Sequence, residues 1–228
     1  MVVMQRSIGG PITDSNMDRA NFSGRMLFNL RVTDSSITIS TFAGSSGKNV
    51  VFEDTEIVES NFSHSRLEDA RFDDVSFVNS HFRSVDAPNL QLTNVDIVNS
   101  NFRNLKSAGG RFDDVTVTNS NFFELQFTAG RMSDVSFTNA NLNSADFSQA
   151  SLRNLIVNVS NLAGATFIGA TLNDVIFREA NLTDADFTES HLFDVSFSDV
   201  EGLTVDAFRR ACGKDVSGLP TGMTLHPC

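Results

Sequence analysis

The chain has 228 residues, 17 Lys and Arg against 28 Asp and Glu, and a formal net charge of −11. An acidic surface of this kind repels nucleic acid and anionic membranes, so neither is expected as a direct partner, and a basic protein surface is the natural counterpart. The 21 Phe without a single Trp or Tyr supply aromatic bulk without a polar handle, as a dry core requires.

Residues 1–11 carry little pattern and are expected to form an N-terminal cap or a disordered lead. The opening stretch "MVVMQRSIGG" lacks the apolar core of a signal peptide, and no apolar run reaches membrane-spanning length. A cytoplasmic location is therefore expected, with an exported form carrying a trimmed leader as the alternative.

From Ile12 to Phe197 every fifth residue is inward by pattern, and only Gly47, Ala87 and Ser107 lack a large apolar side chain there. Two residues before each of these stands a second inward position, usually small, as at Ala20, Ser60, Ala70, Ser80, Ala140 and Ala180. Neither the 3.6 period of a helix nor the 2.0 period of a long strand produces such spacing. A longer period overlies it. "RFDDV" occurs at 71–75 and again at 111–115, "SNF" occurs at 60–62, 100–102 and 120–122, and Phe22, Phe42, Phe62, Phe82, Phe102 and Phe122 follow one another at twenty. Four five-residue units thus make one coil, and residues twenty apart share an environment.

The stretches "ANLNSADFSQASL" (140–152) and "ANLTDADFTES" (180–190) resemble the pentapeptide-repeat family. The resemblance implies an all-β fold, a right-handed quadrilateral parallel β-helix over residues 12–202. About nine coils stacked at strand spacing give a rod about 45 Å long. A stack of nearest-neighbour coils needs both ends covered.

At the C-terminal end, "LTVDAFRRACG" (203–213) offers Thr204 as N-cap, Asp206 in a first turn and Gly213 as terminator. These predict a short capping helix from about Val205 to Cys212, and residues 203–228 as a helix-and-tail cap anchored by Leu219 and Leu225. Leu203 and Phe208 are the candidates for a cap or dimer interface through this end coil. Cys212 and Cys228 are read as reduced thiols in preference to a disulfide stapling the tail.

Nothing in the chain assembles a catalytic set. His64, His81, His191 and His226 form no ligand motif, the glycines form no phosphate-binding fingerprint, and no metal or cofactor is expected. What remains is ordered surface rows. Asp14, Asp34, Asp54, Asp74, Asn94, Asp114, Asp134, Asn154, Asp174 and Asp194 recur at twenty. Their best explanation is turn chemistry, a short polar side chain bonding nearby backbone N–H groups, because Asn keeps that bond while losing the charge. Asn79, Asn99, Asn119 and Asn139 form a second row, read as stacked amides. Arg31, Arg71, Arg111 and Arg131 form a basic row, read as local charge compensation. Charge is uneven along the chain: residues 131–200 hold nine carboxylates and three basic side chains. Asp134, Asp174, Asp184, Asp186, Asp194 and Asp199 are therefore the candidate partner-binding residues.

The expected function is a non-enzymatic rigid scaffold that binds a protein. The resemblance implies an alternative, an acidic mimic of B-DNA that binds bacterial DNA gyrase or topoisomerase IV and protects it from quinolones. Magnitude weighs against the mimic: duplex DNA carries about 26 charges over about 45 Å, and no loop interrupts the register between Phe22 and Phe197.

Overall fold

The computed structural model describes residues 8–228. One parallel sheet runs the length of the molecule, its main rungs the strands Leu30–Thr38, Val51–Val58, Arg71–Val78, Gln91–Val98, Arg111–Thr118, Arg131–Thr138, Ser151–Asn158, Thr171–Arg178 and His191–Ser198. Each rung pairs with the next at an offset of twenty, as in Phe72↔Leu92 and Leu92↔Phe112. The result is a parallel β-helix of about ten turns. It begins earlier than residue 12: Gly10–Thr13 is already a strand, paired with Leu30–Thr33. The first seven residues of the expected lead lie outside the described residues.

Each long strand covers two of the four sides and bends at its middle, at Asp74 in Arg71–Val78. The other two sides are held by single bridges such as Asn101↔Asn121 and Lys106↔Gln126.

The core follows the two inward positions of each unit. Phe42, Phe62, Phe82, Phe102 and Phe122 are all buried. Their rings stack in one column, with centroids 4.4 Å apart for Phe42–Phe62, 4.6 Å for Phe62–Phe82, 4.5 Å for Phe82–Phe102 and 4.8 Å for Phe102–Phe122. Strand spacing thus imposes ring stacking, and the stack rewards Phe at every twentieth position. On the side holding Gly47, Ala87 and Ser107, volume is exchanged between the two inward positions at Gly47 and Ala87, while at Ser107 and Gly110, both small, the Phe127 ring of the next coil lies against Gly110. Val50 follows Gly47 and Leu90 follows Ala87 three residues on, whereas Phe127 is followed by Gly130, where a Cβ would come 2.4 Å from its ring.

The serines of the small inward column do more than fit. Ser80 Oγ accepts the backbone N–H of Ser60 at 3.1 Å and donates to the Val78 carbonyl at 3.0 Å. Ser100 and Ser120 repeat this on the following coils, with Ser80 N to Ser100 Oγ at 3.0 Å and Ser100 N to Ser120 Oγ at 2.9 Å. A buried hydroxyl ladder therefore satisfies backbone groups that a strand ladder leaves open.

The C-terminal cap departs from expectation. Val205–Phe208 is a single 3-10 turn, not a helix to Cys212, and Thr204 makes no side-chain cap bond. The reason is tertiary. The Phe208 ring stacks on Phe187 at 5.2 Å, and the chain rejoins the sheet at once, with Cys212–Lys214 paired to His191–Phe193 at an offset of twenty-one. One extra residue is all the turn accommodates. Gly213 ends no helix; it lies within that strand, where a Cβ would stand 2.5 Å from the Leu192 carbonyl oxygen. The tail returns across the end, with Val216, Leu219, Met223 and Leu225 packed against the core. Gly213 N donates to the His226 carbonyl at 2.9 Å, and Cys212 and Cys228 are joined in a disulfide. The expectation of two reduced thiols is corrected accordingly: the last strand and the returning tail bring their Cα atoms to 4.9 Å.

Candidate functional site

The surface rows stand at the corners of the coil, and their backbone explains their chemistry. Every fifth residue from Asp14 to Asp199 has a positive φ, between 47° and 68°. Only Gly adopts this left-handed conformation freely, with Asn and Asp the best of the rest. The row from Asp14 to Asp194 is therefore short and polar because its backbone is left-handed. The side-chain-to-backbone turn bonds expected of it occur on other rows, as Asn101 Oδ1 accepting Arg103 N at 3.1 Å and Asn141 Oδ1 accepting Asn143 N at 3.1 Å.

Charge along that row depends on what lies one coil away. Asn154 Nδ2 donates to Asp134 Oδ1 at 2.7 Å, and Asn94 does the same for Asp74. Hydrogen bonds from Ser133 and Asn154 hold the Asp134 carboxyl below the usual carboxylate range. Where Asp follows Asp, the effect reverses. Loss of hydration and the charges of Asp74, Asp34, Glu53 and Asp73 push Asp54 up. In the row of Asn79, Asn99, Asn119 and Asn139 an amide link is formed between Asn139 Nδ2 and Asn119 Oδ1, at 2.7 Å.

The six candidate carboxylates do not form one patch. Asp134, Asp174 and Asp194 share a corner, whereas Asp184 and Asp199 hold left-handed positions at two others. Asp186 lies on a side, accepting Thr188 N at 2.8 Å. Asp184 and Asp186 do meet, with Asp206 and Arg209, around a shallow concavity of about 320 Å³. Of the two interface candidates, Leu203 is half-buried against the core. Phe208 is 3% exposed, packed on Phe187 and Phe197, which leaves no ring surface for a second copy. It is a capping residue. In the basic row Arg31 pairs with Glu53, and Arg71 with Asp73 at 2.5 Å. Arg111 and Arg131 have no ion pair among the described residues.

Two features escaped the sequence reading. Asp146 Oδ2 accepts Thr128 Oγ1 at 2.9 Å, while its Oδ1 accepts Thr166 Oγ1 at 3.0 Å and Ser148 N at 2.9 Å. Partial burial pushes its carboxyl up, but the bonds from Ser148, Thr128 and Thr166 outweigh this and hold it low. The signal was available, since Asp146 and Thr166 are twenty apart. Ile156 and Ile176 are register partners, 45% and 42% exposed, at a position polar on neighbouring coils. Among the described residues no group of three or more His, Cys, Asp or Glu could hold a metal ion, and no helix is long and apolar enough to cross a membrane.

A solid rod with four sides, five-residue units and left-handed corners defines a repeat protein of one kind. A family model described as a pentapeptide repeat region matches residues 130–205, and a second, pentapeptide repeats in eight copies, matches residues 60–104. The chain belongs to the pentapeptide-repeat proteins. Among solved structures it is similar to two trypsin-treated forms of QnrB1, described as a plasmid-mediated fluoroquinolone resistance protein. One gives a TM-score of 0.58 at 17% identity, covering 91% of this chain and 92% of that one. The other gives 0.53 at 18%, covering 92% and 91%. HetL from the cyanobacterium Nostoc, a pentapeptide repeat protein involved in heterocyst differentiation regulation, gives 0.33 at 14%, covering 93% and 90%. No curated protein sequence matches the chain. At these identities the likeness is one of fold.

Proposed function

We propose that the protein is a non-enzymatic interaction rod that binds a protein partner along its sides. The observation that supports this best is the division between interior and surface. Among the described residues the inward positions form a packed core with no fully buried charged side chain, and the charged groups stand in rows repeating at strand spacing. Such rows present charges and amides at fixed intervals on a rigid backbone, which has little backbone entropy left to lose on binding. A rigid array of this type selects partners by pattern.

One observation favours a narrower reading, the acidic DNA mimic. A single corner carries Asp34, Asp54 and Asp74 on consecutive coils, where loss of hydration and, after it, the neighbouring charges push Asp54 up. A line of fixed negative charge is what a DNA-binding surface is built to accept. The likeness to a fluoroquinolone resistance protein suggests DNA gyrase as the enzyme to try first. The experiment is DNA supercoiling by purified gyrase, with and without ciprofloxacin, at rising concentrations of this protein. Protection or inhibition at micromolar concentration supports the mimic; no effect removes it and leaves the interaction rod with another partner.

A further inference from the structure

The rod is acidic, yet one notch on its side is basic. Arg111 and Arg131 are register partners on adjacent coils, so their side chains leave the sheet about 4.8 Å apart. Like charges stacked at this distance destabilise a sheet unless something compensates them. Elsewhere on this row the compensation is internal, since Arg31 pairs with Glu53 and Arg71 with Asp73. Asp113 stands in the place relative to Arg111 that Asp73 takes relative to Arg71, yet forms no ion pair with it. Both arginines instead line a concavity of about 290 Å³, together with Asn89, Gln91 and Gly109.

The notch has a local cause. At the adjoining corner most coils carry a longer side chain, Asn29, Asn49, Asp69, Asn89, Gln149 and Glu189, whereas Gly109 and Ala129 stand here on consecutive coils; Gly169 is the one other small residue of the row. Neither Gly109 nor Ala129 reaches beyond a Cβ, which leaves the space beside the two arginines open. Gln91, the register partner of Arg111 on the other side, adds a neutral amide in line with the two guanidiniums.

We propose that this notch binds a phosphate group. Two guanidiniums one rung apart carry two positive charges and two donor forks. A phosphate monoester dianion matches that charge and has three oxygens to share between the forks. A single carboxylate has half the charge and only two oxygens. The phosphate has two possible sources, a free phosphate compound or a phosphorylated residue of a protein, and both present the same group.

The test is calorimetric titration of the full chain at low ionic strength. The probes are inorganic phosphate, a phosphoserine peptide and its unphosphorylated twin. One-to-one saturable binding of phosphate is expected, weakened at least about tenfold by Arg111→Gln or Arg131→Gln and lost in the double variant. The control is Arg83→Gln with Arg103→Gln, a second pair twenty residues apart, of which Arg103 lies over the Phe123 ring at 4.7 Å. That variant removes the same charge and should bind phosphate nearly as well as the wild type. Tighter binding of the phosphopeptide than of inorganic phosphate assigns the group to a protein; equal binding assigns it to a free compound. The proposal is overturned by absence of saturable phosphate binding. It is equally overturned by equal loss in the control pair, or by a twin peptide that binds as well as the phosphopeptide. Unchanged far-UV circular dichroism confirms that each variant is folded.

Discussion

At Ile39 and Val159 the coil asks β-branched side chains to adopt φ of 52° and 49°. Neither is held there by packing, since they are 45% and 47% exposed. Replacing either with Asn should therefore stabilise the protein by about 1 kcal/mol, read as a shift in the denaturant midpoint. At Asp54 the same backbone accepts Asn, and here charge decides. The carboxyl is pushed up, so ionising it costs the native state more than the unfolded one, and stability falls as pH rises through the carboxylate range. Asp54→Asn should raise the melting temperature at neutral pH in low salt, with the gain shrinking in high salt and vanishing in acid. Asp146 has the opposite sign. Its depressed carboxyl contributes stability that is complete above the unfolded carboxylate value of about 3.9 and lost as pH falls through the folded value. Asp146→Ala should cost about 1 kcal/mol at neutral pH, allowing for solvent screening, and the difference from wild type should close in acid.

Among elements, the inner columns are the strongest. Phe102 lies buried between Phe82 and Phe122. Phe102→Ala should cost about 3–5 kcal/mol, measured by denaturant unfolding. Ser80→Ala should cost about 1–2 kcal/mol, because the Ser60 N–H loses its acceptor. The five-residue and twenty-residue periods made the columns legible in the sequence, since inward burial leaves its mark on side-chain size. The left-handed corners were visible only as a preference for Asp and Asn, which turn bonding explains equally well; a side chain does not report the sign of its own φ. The cap was misread for a related reason. Thr204, Asp206 and Gly213 carry helix signals, but the stack of Phe208 on Phe187 and the pairing of Cys212 with His191 override them. The Cys212–Cys228 link closes a separation of 16 residues, for which loop closure predicts about 3 kcal/mol. Reduction, or Cys228→Ser, should speed hydrogen exchange in residues 212–228 while leaving the strands from Gln91 to Asn158 protected.

For the whole molecule, function and fold rest on one premise: twenty residues make one rung, and every row of Asp, Asn and Arg exists because the rungs stay in register. Replacing Asp184, Asp186 and Asp194 together with Asn removes three charges from the acid-rich coils and keeps side-chain size. Coulombic binding to a basic partner should weaken and become less salt-dependent, with the melting temperature little changed. The premise itself is open to a more direct test. Removing residues 91–110 deletes one coil and joins Leu90 to Arg111 with all columns still aligned. Removing residues 93–110 deletes two fewer but moves the large inward residues to the left-handed corners and turns outward residues into the core. Thermal unfolding followed by circular dichroism compares the two. The shorter rod lacking 91–110 should fold and melt cooperatively, below the wild type by the loss of one coil's interfaces, while the chain lacking 93–110 should fail to fold. Equal stability of the two deletions, or failure of the twenty-residue one alone, would contradict the account.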